Sequence, residues 1–137
     1  MNKPTGHKLG RILLVEDDIT LAGLYKMRME TEGFDVKHVG NGEEALQAAK
    51  EYRPDLVLLD IMMPKLDGFD VLDILHNTPA LKGMKIVILS AIGEAEEQAK
   101  AMELGADEYL VKSQVLIAEV MARIRSHLNL PPLPEAE

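Results

Sequence analysis

The 137-residue chain contains no cysteine. Disulfide bonds, thiolate metal sites and cysteine nucleophiles are therefore excluded. The absence of cysteine agrees with a reducing environment, and we expect a cytoplasmic protein.

Aromatic residues are also scarce, at 4% of the sequence, and basic residues are outnumbered by acidic ones, 15 to 23. So few aromatic rings cannot form a base-stacking platform for single-stranded nucleic acid. The net charge of −8 disfavours direct binding to nucleic acid, because that affinity comes largely from phosphate neutralisation. We therefore expect no direct nucleic-acid partner.

Long hydrophobic runs are missing as well. No apolar stretch approaches the roughly 20 residues that a membrane helix requires. The basic residues near the start, Lys3 and Lys8, precede no apolar segment, so no signal peptide is predicted. A membrane is not expected among the partners. The apolar content of 47% is nevertheless enough for a packed interior, and the length indicates one domain with one core.

Short apolar runs alternate with segments of helical periodicity along the whole chain. Strands alternating with helices indicate an α/β fold with a parallel sheet that is covered on both faces. Five such units predict a flavodoxin-like, doubly wound (βα)5 sandwich with the sheet order 2-1-3-4-5. The predicted strands are residues 12–15, 34–39, 56–59, 84–89 and 106–111.

The predicted domain covers residues 10–128, with Asp18 and Asn41 as helix N-caps and Gly33 and Gly105 as helix ends. Residues 1–9 are expected to form a flexible leader. The proline-rich residues 129–137 have few packable side chains and are expected to form an extended tail or linker.

Acidic residues follow two of the predicted strands. Glu16, Asp17 and Asp18 follow the first strand, and Asp60 follows the third. These strands are neighbours in the predicted order, so their carboxylates converge at the sheet edge where open α/β folds place their ligands. Unpaired carboxylates at one point repel and raise each other's pKa. A hard divalent cation relieves this repulsion; Mg²⁺ fits best, and Mn²⁺ is its expected substitute.

Two further polar residues belong to the same edge: Ser90 follows the predicted fourth strand, and Lys112 follows the fifth. Hard oxygen ligands, a carboxylate, a hydroxyl and an ammonium form a set suited to phosphoryl transfer. In this interpretation Asp60 attacks phosphorus and becomes an acyl phosphate, with a metal ion neutralising charge on the phosphoryl oxygens. Ser90 and Lys112 would bind the other phosphoryl oxygens.

The order and spacing of four motifs resemble the receiver domain of two-component response regulators, over about residues 10–128. A single motif of this kind is weak evidence, whereas all of them in order, each ending a strand, are strong evidence. The motifs are Glu16-Asp17, DIMMPKLDG at residues 60–68, Ser90-Ala91 and GADEYLVK at residues 105–112.

The resemblance implies a role for each residue that matches a motif position. Asp60 corresponds to the phosphoacceptor of the family. Asp17 corresponds to the direct metal ligand, and Glu16 to the residue that holds the metal through water. The backbone carbonyl of Met62 corresponds to a further metal ligand.

The remaining matched residues correspond to the phosphate-binding switch of the family. Ser90 and Lys112 match its hydroxyl and its lysine, and Tyr109 matches the aromatic residue that rotates inward when the hydroxyl moves toward the phosphate. The implied donor is a histidine kinase or a histidine phosphotransfer protein. The implied reader is a downstream protein target or output domain that binds the surface of the fourth helix, fifth strand and fifth helix. We expect a monomer or a phosphorylation-dependent dimer.

One position departs from the family pattern. Receivers usually carry proline after the lysine, often with a cis peptide bond, whereas Ser113 follows Lys112 here. A cis bond is not expected, because it costs a non-proline residue about 3 kcal/mol. We expect a different loop, with Lys112 held less firmly and Ser113 as a candidate cap of the last helix, but without loss of phosphorylation.

Two other functions share this architecture. An aspartate-nucleophile phosphatase needs an acid/base carboxylate two residues after the nucleophile, where this chain has Met62, and it needs a cap insertion that is lacking. A flavin-binding protein needs a phosphate loop rich in Ser, Thr and Gly after the first strand, where Glu16, Asp17 and Asp18 would repel a phosphate.

We therefore expect a phosphoacceptor module and not an enzyme. Two contexts remain open, namely a stand-alone receiver, which we favour slightly, and a receiver fragment of a longer multidomain regulator. The prolines at residues 131–134 would suit an interdomain linker in the second case.

Overall fold

The computed structural model describes residues 9–63 and 67–133. The predicted leader, apart from its last residue, therefore lies outside the described residues, as do loop positions 64–66 and the end of the predicted tail at 134–137. Strands and α-helices alternate in the order β1 (Arg11–Val15), α1 (Ile19–Thr31), β2 (Asp35–Val39), α2 (Gly42–Tyr52), β3 (Leu56–Leu59), α3 (Gly68–His76), β4 (Lys85–Ser90), α4 (Ala95–Glu103), β5 (Glu108–Val111) and α5 (Ile117–His127).

The strands form one parallel sheet in the order β2-β1-β3-β4-β5, which confirms the predicted fold class and sheet order. Val15 at the end of β1 is paired with Val39 of β2 and with Leu59 of β3. The chain order reverses between β1 and β3, and in open α/β sheets such a reversal opens a crevice at the C-terminal strand ends. The fold therefore brings the residues that follow β1 and β3 together.

Both faces of the sheet are buried. Successive side chains of a strand point to opposite faces, so each strand contributes to two packed layers. Ile12 and Leu14 pack with apolar residues of α1 and α5. Leu13 and Val15 pack with those of α2, α3 and α4. This two-sided burial explains why residues 12–15 of β1 and the whole of β3 are continuous apolar runs without alternation.

The predicted helix ends are confirmed. The side chains of Asp18 and Asn41 each accept a hydrogen bond from the backbone N–H three residues further on, at 3.1 and 2.9 Å. Gly33 and Gly105 follow α1 and α4 with φ of 106° and 114°. A side chain is strained in this left-handed region, so glycine is the residue that allows the chain to turn back there.

The second half of the chain differs from the prediction in three details. The fourth strand lies one residue later than predicted, at Lys85–Ser90, so Ser90 is its last residue and does not follow it. The fifth strand begins at Glu108 and not at residue 106, because the backbone N–H of Ala106 closes the end of α4 by donating to Ala101.

The candidate cap at Ser113 is also wrong. Ser113 lies in a single turn of 3-10 helix at Lys112–Gln114, and α5 begins only at Ile117. The first turn of α5 is instead closed by Glu119, whose Oε1 accepts a hydrogen bond from the N–H of Leu116 at 2.7 Å. Every peptide bond in the described ranges is trans.

None of the helices in the described ranges combines the length and the apolar character that crossing a bilayer requires.

Candidate metal and phosphorylation site

The first part of the site is the pair of buried carboxylates that follow β1 and β3. The N–H of Glu16 donates to the carbonyl of Val39 at 3.0 Å, and the N–H of Asp60 donates to Val15 at 3.1 Å. These bonds continue the sheet ladder past the strand ends, so the backbone at both acidic residues is fixed by the sheet. Glu16 and Asp60 are 3% and 4% exposed.

Asp17 completes a cluster of three carboxylates. One carboxylate oxygen from each of Glu16, Asp17 and Asp60 lies within 4.8 Å of the others. Asp17 is exposed, whereas its two partners are buried, so the cluster opens to solvent on one side. The structure therefore brings together three of the four acidic residues that the sequence predicted to converge, whereas the side chain of Asp18 caps α1.

Lys112 binds both buried carboxylates. Its Nζ lies 2.9 Å from Oε1 of Glu16 and 2.9 Å from Oδ2 of Asp60. Burial lowers the pKa of Lys112, but its hydrogen bonds to Glu16 and Asp60 outweigh this effect, so the net pKa is raised. The lysine is therefore charged at neutral pH and lies between two carboxylates. The looser hold expected beside Ser113 stays a prediction.

Burial also changes the titration of Glu16. Desolvation raises the pKa of its carboxyl group above the ordinary value of 4.5, with a further contribution from the nearby Asp60. The hydrogen bonds from Lys112 and from the N–H of Asp18 act in the opposite direction. Glu16 therefore binds a proton more readily than an exposed glutamate does.

The donor set of this cluster fits a hard divalent cation. Three carboxylates and one ammonium meet there, which leaves an excess of two negative charges when all four groups are ionised. All three candidate side-chain ligands are oxygen donors, which Mg²⁺ and Mn²⁺ prefer. The N–H of Met62 donates to Oδ1 of Asp60 at 2.9 Å, which places this residue beside the cluster; the role of its carbonyl stays a prediction.

Ser90 and Tyr109 meet at the loop that follows β4. Ser90 is fully buried, and its Oγ accepts a hydrogen bond from the N–H of Ile92 at 3.2 Å. The hydroxyl of the half-buried Tyr109 donates to the carbonyl of Ile92 at 2.8 Å. Burial raises the pKa of Tyr109, so the phenol keeps the proton that it donates. Both predicted switch residues are thus bonded to the same loop residue.

Two residues that the sequence analysis did not assign to the site also support it. A Cβ added to Gly68 would collide with the backbone of Ile61, next to Asp60, so only glycine allows this close approach. His38 Nε2 lies 2.7 Å from the carbonyl of Glu16 and donates to it. The close approach of Gly68 could have been predicted, because a glycine at the start of a helix is a recognisable signal. Nothing in the sequence indicated the bond from His38 to Glu16.

Comparison with known proteins agrees with this geometry. Residues 12–125 match the family described as response regulator receiver domain. The DNA-binding response regulator MtrA of Mycobacterium tuberculosis (strain H37Rv) is 41% identical over 124 residues, which cover 88% of this chain and 53% of MtrA. The chain thus spans about half the length of the curated relatives that it matches.

Solved receiver domains have the same fold. The BeF3-activated N-terminal receiver domain of RstA from Klebsiella pneumoniae superposes with a TM-score of 0.79 at 31% identity, covering 86% of this chain and 97% of that one. The Mn²⁺-bound form of response regulator Rcp1 gives a TM-score of 0.78 at 28% identity, covering 92% and 99%. By the family match, the sequence relatives and the fold, this chain belongs to the receiver domains of two-component response regulators.

Proposed function

We propose that Asp60 accepts a phosphoryl group from the phosphohistidine of a histidine kinase or a histidine phosphotransfer protein. The observation that carries this proposal is the position of one buried carboxylate. Asp60 lies in the carboxylate cluster with Glu16 and Asp17, and its Oδ2 is 2.9 Å from Nζ of Lys112. A nucleophile, a set of cation ligands and a positive charge are therefore within reach of one phosphoryl group.

In the transfer, a carboxylate oxygen of Asp60 forms a bond to phosphorus while the phosphorus–nitrogen bond of the donor's phosphohistidine breaks. The electron pair of the broken bond stays on the imidazole nitrogen, and Asp60 becomes an acyl phosphate. Burial of Asp60 limits the contact of its carboxylate with solvent, and the bond from the N–H of Met62 to Oδ1 orients the carboxylate.

We assign the metal ligands as the resemblance to receiver domains implies. Asp17 would hold the cation directly and Glu16 would hold it through water, with Asp60 and the carbonyl of Met62 as the other protein ligands. Bound Mg²⁺ supplies positive charge that offsets the charge of the phosphoryl oxygens. Mn²⁺ is the proposed substitute, and the Mn²⁺-bound form of the similar Rcp1 supports this choice.

Lys112 and Ser90 bind the transferred group. Because Lys112 is charged and already contacts Oδ2 of Asp60, its ammonium reaches an oxygen of a phosphoryl group on that carboxylate. A hydroxyl can accept and donate at once, so the Oγ of Ser90, which accepts from the N–H of Ile92, can donate its own proton to another phosphoryl oxygen.

The switch follows from the shared partner of Ser90 and Tyr109. If Ser90 turns toward the phosphate, the N–H of Ile92 loses its acceptor, and Tyr109 is bonded to the carbonyl of the same residue. The loop and the tyrosine therefore change together, and phosphorylation shifts the population toward the arrangement with Tyr109 turned inward. The α4, β5 and α5 surface then presents a different face to a downstream protein target, to an output domain or to a second copy of the receiver.

We further propose that the donor binds along a groove between α1 and α5, here called the α1–α5 groove. Its volume is about 610 Å³, and Lys112 contributes to its wall, so the groove adjoins the phosphorylation site. Leu116 at its edge is 71% exposed, and Met27 is 61% exposed. A donor that must place its imidazole over Asp60 finds exposed apolar support here. The other apolar residues of the wall are Leu21, Leu24, Val115 and Ile117.

Phosphorylation by a small molecule tests the central step. The protein is incubated with acetyl phosphate and Mg²⁺, and its intact mass is measured by mass spectrometry. We expect a mass gain of one phosphoryl group in the unsubstituted protein and no gain in Asp60→Asn. A gain that persists in Asp60→Asn, or no gain in either protein, contradicts the proposal.

A further inference from the structure

The chain folds back onto α5 at the end of that helix. Asn129 has a φ of 60°, a left-handed conformation that asparagine tolerates better than most residues. The N–H of Leu130 donates to the carbonyl of Arg125 at 2.8 Å, so the chain folds back over the last turn of the helix. Leu130 is partly buried against the core cluster that α1 and α5 share.

The side chain of Arg125 binds two parts of the molecule at once. Its Nε donates to the carbonyl of Pro131 at 2.8 Å, and its Nη1 lies 3.2 Å from Oε1 of Glu32. Glu32 caps the C-terminal end of α1, and its Oε2 accepts from Nε of Arg28 at 2.7 Å. Arg125 therefore joins the segment after α5 to the end of α1.

This contact is buried, which is unusual for a pair of charges. The side chains of Arg125 and Glu32 are 9% and 4% exposed. For a buried ion pair, the free energy lost by removing both charges from water is about as large as the free energy gained from their attraction. Such a pair therefore fixes the relative position of two segments more than it stabilises the fold. The planar guanidinium suits this task, since its separate N–H groups reach a carboxylate and a carbonyl in fixed directions.

A second charged cluster lies on the other side of α5 and makes no such connection. Nε of Arg123 lies 2.9 Å from Oε1 of Glu108, and His127 Nε2 lies 2.7 Å from the same oxygen. These contacts join α5 to β5 only. Arg123 therefore offers a matched control for Arg125.

We propose that Arg125 and Glu32 form a latch, here called the α1–α5 latch, that fixes the direction in which the chain leaves the domain. The latch holds residues 129–131 at the end of α5 and joins them through Glu32 to the end of α1. Pro131 and Pro132 restrict the backbone that leads on to Leu133, so the direction of the chain is fixed up to that residue. The proposal does not depend on phosphorylation of Asp60.

The absence of native cysteines allows a direct distance measurement. Nitroxide labels are attached to the exposed positions Glu43→Cys and Leu133→Cys, and the distance distribution is measured by pulsed electron spin resonance. We expect one narrow distribution with the latch intact. The distribution broadens in Arg125→Gln and in Glu32→Gln, and it stays narrow in Arg123→Gln.

Hydrogen exchange gives a second readout on the unlabelled protein. The amide of Leu130 exchanges roughly tenfold faster in Arg125→Gln, because the segment opens once its charge-assisted bond is lost. Arg125→Lys serves if the glutamine variant does not fold, since lysine keeps the charge beside Glu32 but lacks the fork that also reaches Pro131. A broad distribution with the latch intact overturns the proposal, as does an Arg125 variant that behaves like Arg123→Gln.

Discussion

The Nζ atom of Lys112 lies 2.9 Å from Oδ2 of Asp60, although 52 residues separate the two in the sequence. The same ammonium lies 2.9 Å from Oε1 of Glu16. One positive charge is therefore shared by two buried carboxylates, and it stabilises both in the folded protein.

Replacing Lys112 by methionine leaves Glu16 and Asp60 facing each other without a cation. We expect Lys112→Met to lower the free energy of unfolding by about 1–3 kcal/mol, the usual cost of leaving a buried polar group unpaired. Adding Mg²⁺ is expected to recover more stability in this variant than in the unsubstituted protein, because bound cation replaces the lost charge. Urea unfolding with and without Mg²⁺ measures both effects.

The control for this prediction is Arg123→Met, which removes a pair whose arginine is 47% exposed. Exposed pairs contribute about 0–1 kcal/mol, so the loss of stability is expected to be smaller and unrelated to Mg²⁺. If Mg²⁺ restored equal amounts of stability in the two variants, the charge of Lys112 would not be what offsets the carboxylate cluster.

The raised pKa of Glu16 predicts how pH affects the site. Folding favours the protonated carboxyl, so its contribution to stability is fully present below the ordinary value of 4.5 and is lost as pH rises through the raised pKa. Cation binding has the opposite sign, because the ligand must be deprotonated.

The apparent affinity for Mg²⁺ is therefore expected to fall as pH is lowered through that raised pKa, before exposed carboxylates titrate. Calorimetric titrations of Mg²⁺ at a series of pH values measure the fall. In Glu16→Gln the affinity is lower throughout and this step of the pH dependence disappears. A step that survives the substitution would assign it to another group.

Two glycines give a matched test of the loop beside Asp60. A Cβ at Gly68 meets the backbone of Ile61, which cannot move without shifting the segment that carries Asp60. Overpacking of this kind costs about 1–3 kcal/mol, so we expect Gly68→Ala to be destabilised and phosphorylated more slowly.

Gly23 lies within α1 and has no atom within 4 Å of an added Cβ. Alanine there is expected to stabilise the protein by about 1 kcal/mol, the difference in helix propensity, without slowing phosphorylation. Thermal unfolding and acetyl phosphate kinetics distinguish the two. If both alanine variants behave alike, close packing at Gly68 does not position Asp60.

The α1–α5 groove predicts a difference between protein and small-molecule donors. Met27→Glu and Leu116→Glu place a charge on the apolar surface where the donor is proposed to bind. We expect each to slow phosphoryl transfer from a phosphorylated histidine kinase by roughly tenfold, about the effect of losing one apolar anchor, with the acetyl phosphate rate unchanged.

The control here is Met102→Glu on α4, where the methionine is 46% exposed. It is expected to leave both rates unchanged. The kinase is chosen as the one that phosphorylates the unsubstituted receiver fastest in a panel. If transfer from the kinase and from acetyl phosphate slows equally, the substitution has damaged the phosphorylation site itself. If neither rate falls, the donor does not bind at the α1–α5 groove.

The strand ends explain why so much of the fold and of the site could be predicted. The apolar run before Asp60 has the same bounds as β3, and the run before Glu16 differs from β1 by one residue. Because parallel strands end at one edge, two such runs were enough to bring the acidic residues together.

What the sequence could not supply depends on loop geometry. Ser113 was proposed as a helix cap, but a 3-10 turn separates it from α5. The bridge from Lys112 to Glu16 depends on how far a long side chain reaches across the sheet edge. The hydrogen bond from Arg125 to the carbonyl of Pro131 joins α5 to the segment after it, and the spacing of polar residues in these segments does not predict such a contact. Local periodicity carries no information on such contacts, because they are set by tertiary packing.

The most direct test of the account is to identify the residue that carries the phosphate. The receiver is phosphorylated with acetyl phosphate and Mg²⁺ and then reduced with borohydride, which converts an aspartyl phosphate to homoserine. Peptide mass spectrometry then locates the reduced residue. We predict homoserine at position 60 alone; homoserine at Asp17 or elsewhere, with Asp60 unmodified, would contradict the account.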